Sequence, residues 1–342
     1  MEHTSAGICK VTIFVTPHFN LAATAGFIDP FRAANYLDGA SYFAWDYISE
    51  RGGPVLASNG MEVRTKALSE VSAQRRDLVI VSTSWTPERH GSAGLRSALW
   101  RWARGGTTLG ALDTGAFLLA QAGLLEGRRA TVHYEHMDAF GEMFPRIELS
   151  EDICVFDGPR ITCSGGAASM DFALHIIAGL KGNALANAAA RYLFHQSVRP
   201  PGTAQNPAPL EPIGSAAPSP VRRAIALMEQ HLEEPLSIAD ICARSGVSHR
   251  QMNRLFATHV KKTPALYYRD IRLDRARGLV TQTQMPMSQI ALASGFASQV
   301  HFSRAYRARF GMPPRRDRVE GRVPFEFRAW PMHRAALARD GG

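Results

Sequence analysis

The sequence predicts two domains of different fold class: an N-terminal α/β domain with a doubly wound parallel sheet, and an all-α C-terminal domain with two helix-turn-helix units. As far as residue 196, β-rich segments alternate with helical segments of about ten residues, which is typical of a doubly wound sheet. Seven of the twenty prolines then fall between residues 199 and 220. Beyond this interruption, a pattern of helix, glycine turn and helix occurs twice.

The first domain is predicted from strands and helices that follow one another in a regular order. Strands are predicted at 8–16, 42–49, 77–82, 107–113, 129–134, 153–156 and 160–163. Helices are predicted at 21–35, 92–103, 115–122, 136–144, 168–180 and 184–196. The segment 77–82 is almost entirely apolar, as expected of a strand buried on both faces of a parallel sheet. In the first helix, Gly26 and Pro30 are expected to interrupt the helical pattern.

We therefore divide the chain into an α/β domain (1–198), a linker (199–220), a helical domain (221–320) and a tail (321–342). The linker is rich in proline, glycine, serine and alanine, a composition that favours an extended and poorly helical chain. The tail is irregular and basic, and its sequence indicates no role.

The repeated pattern in the helical domain covers residues 240–256 and 289–306. Gly246 and Gly295 stand where a helix must end with a positive φ, which glycine adopts at little cost. Ser248 and Ser298 follow as N-caps of the second helix of each copy. Two apolar residues four positions apart then face the small core of each copy, namely Met252 with Phe256 and Phe302 with Tyr306.

The opposite face of each second helix carries side chains that hydrogen-bond to base edges. The candidates for DNA contact are Arg250, Asn253 and Arg254 in the first copy and Gln299, His301 and Arg304 in the second. In a single copy, an ordinary solvated helix face explains this pattern equally well. Two copies joined by an arginine-rich helix at 264–281 favour double-stranded DNA as the partner.

The distribution of charge agrees with that partner. The formal net charge is +9, and residues 221–342 hold 21 Lys and Arg against 10 Asp and Glu. The rest of the chain holds 39 − 21 = 18 basic and 30 − 10 = 20 acidic residues. All of the excess positive charge therefore lies in the C-terminal third, as required of a domain that neutralises phosphates.

These motifs resemble the AraC/XylS-type DNA-binding domain. The resemblance covers about one hundred residues, and it is carried by Pro235 to Ser248 and by the run from Ser294 through Gly311-Met-Pro-Pro314. It implies seven helices, with two helix-turn-helix units on successive major grooves. It also implies that the six residues named above, carried over by position, contact bases and phosphates.

A second resemblance concerns the segment from Leu109 to Ala120, where a buried strand enters a tight turn and then a helix. This geometry is that of a nucleophile elbow. Together with residues 122–135, the segment resembles the type 1 glutamine-amidotransferase-like (PfpI-type) domain, which implies a flavodoxin-like sheet. Such a domain fused to an AraC-type module defines the GlxA-like regulators, and the resemblance extends over residues 8–196.

The elbow residue decides the expectation about catalysis. In catalytic relatives this residue is cysteine, whereas here it is Asp113, which has no thiol to attack a substrate. Thr114 is adjacent but has no identifiable base, and Cys163 is the remaining candidate nucleophile near the pocket. A buried structural thiol is the alternative for Cys163. We therefore expect no enzyme activity; the competing hypothesis is a thiol-dependent amidase or glyoxalase-like enzyme with a DNA-binding tail.

Asp113 is instead a candidate ligand contact, because open α/β sheets bind ligands at the carboxyl ends of their strands. By alignment with the family, Asp29 on the first helix is the second candidate carboxylate. Two carboxylates favour a cation, and Trp85 and Tyr134 are candidates for cation–π contacts. Thr114 and His133 complete the candidate ligand-binding set. Two alternatives stay open: Asp113 caps the following helix, and His133 is a core histidine.

The expected effector is a small nitrogen-containing metabolite, of the basic amino acid or quaternary ammonium type. The resemblance implies a transcription regulator, expected to be a homodimeric activator that works with RNA polymerase. A constitutive DNA-binding protein whose first domain only dimerises is a further alternative.

The location and chemistry of the chain are predicted from features that it lacks. Its four cysteines form no C-x-x-C pair, and no leader peptide or membrane-spanning run of ~18 apolar residues occurs. We therefore expect a bacterial cytoplasmic protein with no membrane partner, no cofactor and no metal.

Overall fold

The computed structural model describes residues 7 to 205 and 217 to 320. The described residues belong to two compact units, the first of which ends at Gln205. The predicted tail at 321–342 and the middle of the predicted linker at 206–216 lie outside the described residues.

The first unit alternates strands and helices along the chain. Its first half contains β1 (Cys9–Val15), α1 (Leu21–Asp38), β2 (Phe43–Ser49), β3 (Gly53–Leu56), β4 (Glu62–Ala67), α2 (Leu68–Val71), β5 (Leu78–Thr83), α3 (Ala93–Arg104), β6 (Thr108–Asp113) and α4 (Ala116–Gln121). Its second half contains β7 (Arg129–Ala130), α5 (Met137–Met143), β8 (Glu148–Leu149), β9 (Cys154–Asp157), β10 (Arg160–Cys163), α6 (Ala168–Lys181) and α7 (Asn183–Tyr192).

Within the described residues, eight strands form one sheet in the order β3-β4-β2-β1-β5-β6-β10-β9. The strands from β4 to β10 in this order pair in parallel, and β3 and β9 close the two edges by antiparallel pairing. Helices α3, α4 and α5 cover one face, and α1 and α6 cover the other. Every residue of β5 is buried, as expected of a central strand with helices on both sides. The predicted α/β class is confirmed.

Two local expectations for this unit are wrong, and one hairpin was not predicted. Helix α1 continues through Gly26 and Pro30 as far as Asp38, because Phe27 and Phe31 are fully buried and their packing outweighs the hydrogen bond that Pro30 cannot donate. The edge hairpin β3–β4 escaped prediction, since its residues are mostly polar or partly exposed. The strand predicted at 129–134 ends after two residues, where the chain turns toward Asp113.

The second unit contains seven helices among the described residues, as the resemblance implies. They are α8 (Ser219–Gln230), α9 (Ile238–Ser245), α10 (His249–His259), α11 (Pro264–Gln282), α12 (Met287–Ala293), α13 (Gln299–Phe310) and α14 (Pro314–Glu320). Each helix-turn-helix unit has its own small core: Met252 and Phe256 belong to the first, and Phe302 and Tyr306 to the second. Helix α11 contributes to both cores, with Tyr268 in the first and Leu273 in the second.

Candidate ligand site and DNA-binding surface

The turn between β6 and α4 is sharp and closely packed. Asp113, the last residue of β6, has φ +59°, a left-handed conformation that is costly for a residue with a side chain. Gly115 follows, and a Cβ atom there would lie 2.1 Å from the carbonyl oxygen of Val81. The predicted sharp turn is therefore present, and only glycine fits its third position.

The side chain of Asp113 is buried and polar contacts surround it. One of its oxygens, Oδ2, accepts a hydrogen bond of 2.8 Å from Nδ2 of Asn20. Burial raises the pKa of Asp113 to about 6, although the nearby His133 and the Asn20 hydrogen bond both lower it. At neutral pH the carboxyl group is thus mostly ionised but retains a larger neutral fraction than an exposed aspartate, and a bound cation would favour ionisation further.

The interpretation of Asp113 as a helix cap is wrong. The N-cap of α4 is Gly115, and no side chain accepts a hydrogen bond from the first turn of that helix. The Asp113 carboxylate instead faces Asn20, which precedes α1. Helix capping therefore does not explain the strained conformation of Asp113. Strain of this kind fits a residue that contacts a ligand.

Two further non-glycine residues with left-handed backbones lie beyond the carboxyl ends of neighbouring strands. His18, after β1, has φ +60°, and Thr86, after β5, has φ +52°. The rings of His18 and Trp85 lie 6.4 Å apart. Strained residues concentrate at binding and catalytic sites, where the surrounding structure stabilises them. In the sheet, β2 lies on one side of β1 and β5 lies on the other. The crossover direction therefore changes at β1, and open sheets bind ligands at the strand ends beside such a change.

A cavity of about 350 Å³ opens at the same edge, and Asp113, His133, Tyr134 and Trp85 are not among the residues that line it. Its lining combines the end of β1 with polar and charged side chains from two loops, among them Thr16, Glu50, Arg89, His90 and Ser92. Burial, and then the neighbouring His18, lower the pKa of His90. The cavity has the volume of a small-molecule site.

His133 and Tyr134 border Asp113 from the opposite side. The backbone N–H of His133 donates to the carbonyl oxygen of Asp113 at 3.3 Å, and the rings of His133 and Tyr134 lie 4.6 Å apart. Tyr134 is 55% exposed and His133 is 28% exposed. His133 is therefore a partly exposed histidine rather than a core histidine, and it can reach a ligand beside Asp113.

Two predicted ligand residues are not available to that ligand. The hydroxyl of Thr114 is fully buried and donates to the carbonyl oxygen of Ser84, so it stabilises the turn. Asp29 is half exposed and forms an ion pair with Arg32 at 3.0 Å. It also lies nine residues beyond Asn20 on α1, which corresponds to about 13 Å along the helix. The expectation that Asp29 and Asp113 converge on one pocket is wrong.

Two residues of this candidate site, Asn20 and His18, are not predicted from the sequence. Asn20 also accepts a hydrogen bond of 3.0 Å from the backbone of Ala23, which makes it the N-cap of α1. A cap residue after the first strand was visible in the sequence. Its second hydrogen bond, to a residue 93 positions away, was not.

Cys163, the candidate nucleophile of the enzyme hypothesis, is buried at the end of β10. It lies directly opposite Cys154 of β9 in the antiparallel register. A hydrogen bond with Cys163 and burial raise the pKa of the Cys154 thiol. The Cys154 thiol is therefore not an activated thiolate, and Cys163 is enclosed in the core beside it.

The second candidate site is the outer surface of α10 and α13. Gly246 and Gly295 have φ +72° and +71°, and the hydroxyls of Ser248 and Ser298 cap the following helices by accepting from Gln251 and His301. The predicted turns and caps are confirmed. Each helix buries the apolar pair that the sequence assigned to the core.

The predicted DNA-contacting residues lie on the outer face of these two helices. Exposed side chains are those of Arg250, Arg254, Gln299, His301 and Arg304. Asn253 is half-buried, and its Nδ2 lies 3.2 Å from Nδ1 of His249. All six project from regular helices whose opposite faces are fixed in the core, an arrangement suited to insertion into a groove.

Two arginines of the basic helix α11 have internal contacts instead. Arg272 donates to the carbonyl oxygen of Gly295 at 2.8 Å, and its guanidinium lies 5.0 Å from the ring centre of Phe296. Arg277 pairs with the buried Asp317 at 2.9 Å. The charge of this helix is therefore used in part to attach α11 to the second helix-turn-helix unit and to α14.

The geometry defines a class of protein: an α/β domain with a strained turn at the ends of its parallel strands, followed by a double helix-turn-helix domain. The model of the DJ-1/PfpI family matches residues 10–179, and that of a helix-turn-helix domain matches residues 226–319. In the part of the chain that the structure describes, no helix is long and apolar enough to cross a membrane.

The chain is similar to curated regulators over most of its length. It is 39% identical over 303 residues to the HTH-type transcriptional regulator CdhR of Pseudomonas aeruginosa, covering 89% of each chain. It is 31% identical over 310 residues to the HTH-type transcriptional regulator GlxA of Rhizobium meliloti, covering 91% of this chain and 95% of the relative. A solved AraC family transcriptional regulator from Pseudomonas putida covers 54% of this chain at 26% identity, with a TM-score of 0.50.

The chain therefore belongs to the family of HTH-type transcriptional regulators that join a DJ-1/PfpI domain to an AraC-type DNA-binding domain. It is a DNA-binding transcription regulator, as are the two curated relatives named above.

Proposed function

We propose that this regulator binds a small nitrogen-containing cation or zwitterion, of the basic amino acid or quaternary ammonium type, beside Asp113. The observation that carries the proposal is the buried Asp113 carboxyl on a strained turn, with Asn20 as its hydrogen-bond donor. Although burial raises the pKa of Asp113 to about 6, the carboxyl group is largely ionised at neutral pH, and an arriving cation would offset its buried negative charge. Tyr134, His133 and Trp85 supply aromatic surface at the same edge.

The same residue supports a sensor rather than an enzyme. In catalytic members of the superfamily the elbow holds a cysteine, and Asp113 cannot form the thioester or thiohemiacetal that a thiolate forms. The strained turn, which positions a nucleophile in an enzyme, would here position a carboxylate toward the ligand.

DNA recognition is assigned to α10 and α13. Arg250, Asn253 and Arg254 would contact one major groove and Gln299, His301 and Arg304 the next, through base edges and phosphates. A homodimer would place two such modules on repeated half-sites, and ligand binding would favour the arrangement that recruits RNA polymerase and activates transcription. Such a protein acts where the bacterial chromosome lies, in the cytoplasm.

The test is a thermal-shift screen of the full chain against glycine betaine, carnitine and L-arginine, with uncharged analogues beside them. A shift for cationic or zwitterionic compounds that Asp113→Asn removes would support the proposal. A response that is identical in Asp113→Asn would remove Asp113 from the site. If no compound in the screen shifts the melting temperature, the effector class is wrong and a constitutive DNA-binding protein becomes the better hypothesis.

A further inference from the structure

Residues 199 to 205, which the sequence assigns to the linker, are bound to the first unit; we call them the linker stem. At its start, the Arg199 guanidinium donates to Oδ2 of Asp171 from Nε at 2.8 Å and from Nη2 at 2.6 Å. The backbone N–H of Arg199 donates to Oδ1 of the same carboxylate at 2.9 Å. Because the Asp171 side chain is completely buried, this charge-assisted pair, in which both guanidinium N–H groups donate to one carboxylate oxygen, is a strong anchor.

At the other end of the stem, Gln205 holds a different part of the unit. Its Nε2 donates to Oγ1 of Thr131 and to the carbonyl oxygen of Val132, both at 2.9 Å. Its backbone N–H donates to the carbonyl oxygen of Glu151 at 2.8 Å. Between these two ends, the N–H of Ile153 donates to the carbonyl oxygen of Thr203 at 2.7 Å. The stem therefore runs beside the residues that precede β9.

The two anchors hold the two loops that border Asp113. Asp171 is the fourth residue of α6, a helix that begins just after Gly165, and a Cβ atom at Gly165 would lie 2.9 Å from Cβ of Asp113. On the other side, Val132 directly precedes His133, whose N–H donates to the carbonyl oxygen of Asp113. Arg199 is thus bound to the helix that follows the Gly165 turn, and Gln205 is bound to the residue that precedes His133.

We propose that the linker stem is a latch whose attachment is coupled to the state of the Asp113 site. This inference rests on the proposed function, since it assigns the route by which a ligand beside Asp113 reaches the linker. A ligand that moves the His133 loop or the Gly165 turn changes the contacts of Gln205 and Arg199. Linkage is reciprocal, so releasing the stem must also change the loops at the site. The attachment of residues 199–205 to the first unit would then depend on ligand.

Hydrogen–deuterium exchange on the full chain tests this coupling without a known ligand. The variants are Arg199→Ala and Gln205→Ala, with Thr203→Ala as the matched control, since Thr203 contributes to the stem contacts through its backbone. Two segments border the site, one at 131–135 and one at 163–167. Each variant is expected to raise the exchange rate roughly tenfold in the segment on the far side of the site from the substituted side chain. For Arg199→Ala that side is residues 131–135, and for Gln205→Ala it is residues 163–167. Thr203→Ala should leave both segments unchanged.

Unchanged exchange in β1 shows that a variant remains folded. If Arg199→Ala fails this criterion, Gln205→Ala alone decides. An exchange rate that rises only beside the substituted residue would overturn the latch, because the stem would then detach without affecting the segment on the other side of the site.

A second arm adds glycine betaine or L-arginine to the unsubstituted chain. A compound that protects residues 131–135 and also changes exchange at 199–205 supports both proposals. Protection of the site with an unchanged stem overturns the latch and leaves the sensor site intact. If neither compound changes exchange anywhere, the proposed effector class fails, and the variants alone decide about the latch.

Discussion

The two candidate sites of this regulator are built in opposite ways. The DNA-binding surface uses exposed side chains on regular helices, with each helix held by an apolar pair and a serine cap. The ligand site uses buried or half-buried side chains on irregular backbone, at strand ends where three non-glycine residues have a positive φ. A surface that must fit a uniform duplex can be regular. A pocket for one small molecule requires local strain, which the surrounding sheet stabilises.

The two turn glycines of the DNA-binding unit sharpen this contrast, and they give the largest expected effect. Gly295→Ala would place Cβ 2.5 Å from the carbonyl oxygen of Leu232, whereas a Cβ at Gly246 would meet no atom within 4 Å. Both glycines have a positive φ, so Gly246→Ala should cost about 1–2 kcal/mol from backbone strain alone. Gly295→Ala should cost more than about 3 kcal/mol, because backbone must also move. Urea denaturation followed by circular dichroism measures both variants, and equal losses would contradict the packing argument.

In the ligand site, Asp113 should make stability depend on pH. Its pKa in the folded protein is about 6, above the ordinary value of 3.8, so the folded state binds the proton more tightly. Its stabilising effect is complete below about pH 4 and is lost as pH rises through 6, for a total of about 3 kcal/mol. Asp113→Asn should remove this dependence and be at least as stable as the native chain at pH 7.5. Four of the five tryptophans lie in the first domain, so their fluorescence during urea unfolding at several pH values is a suitable measurement. A native chain whose stability difference from the variant is flat between pH 4 and 7 would contradict the raised pKa.

For the exposed surface, each arginine should matter for binding and little for folding. Arg254→Ala and Arg304→Ala are each expected to weaken specific DNA binding by about 1–3 kcal/mol, with the melting temperature unchanged. Arg223→Ala, which removes an exposed arginine of α8, is the charge-matched control. Titrations with a duplex selected from a random pool, repeated at two salt concentrations, separate specific from charge-driven binding. A control that weakens binding as much as either variant would show that only net charge is involved.

The smallest effect is expected at Asn20. Asn20→Ala removes the N-cap of α1, at a cost of about 1 kcal/mol. It also removes the hydrogen bond that lowers the pKa of Asp113. The midpoint of the pH dependence should therefore move to higher pH, which the same fluorescence titration detects. A midpoint that does not move would mean that Asn20 acts on the helix alone.

The regularity of the DNA-binding unit is also why the sequence predicted it well. Helix turns, caps and apolar pairs depend on residues within a few positions of one another, as Gly246, Ser248 and Met252 do. The ligand site depends on contacts between residues far apart in the chain, such as Asn20 with Asp113, and these leave no local pattern. Asp29 was misassigned for the same reason, since its place in the chain does not show which end of the helix faces the pocket. The sharp turn at Asp113 was predictable because strand, turn and helix are contiguous there.

Helix α11 has a consequence for the operators that this regulator can use. It contributes residues to both helix-turn-helix cores, and Arg272 binds the backbone of the turn before α13. The position of α10 relative to α13 is therefore set by the contacts that both units make with α11. DNA that carries both recognition sequences with one extra base pair between them would present the second sequence rotated by about 35° and displaced by 3.4 Å. Because α11 fixes the distance between α10 and α13, we expect the two helices not to adapt to that displacement. The spacing within each half-site should therefore matter for binding as much as the bases do.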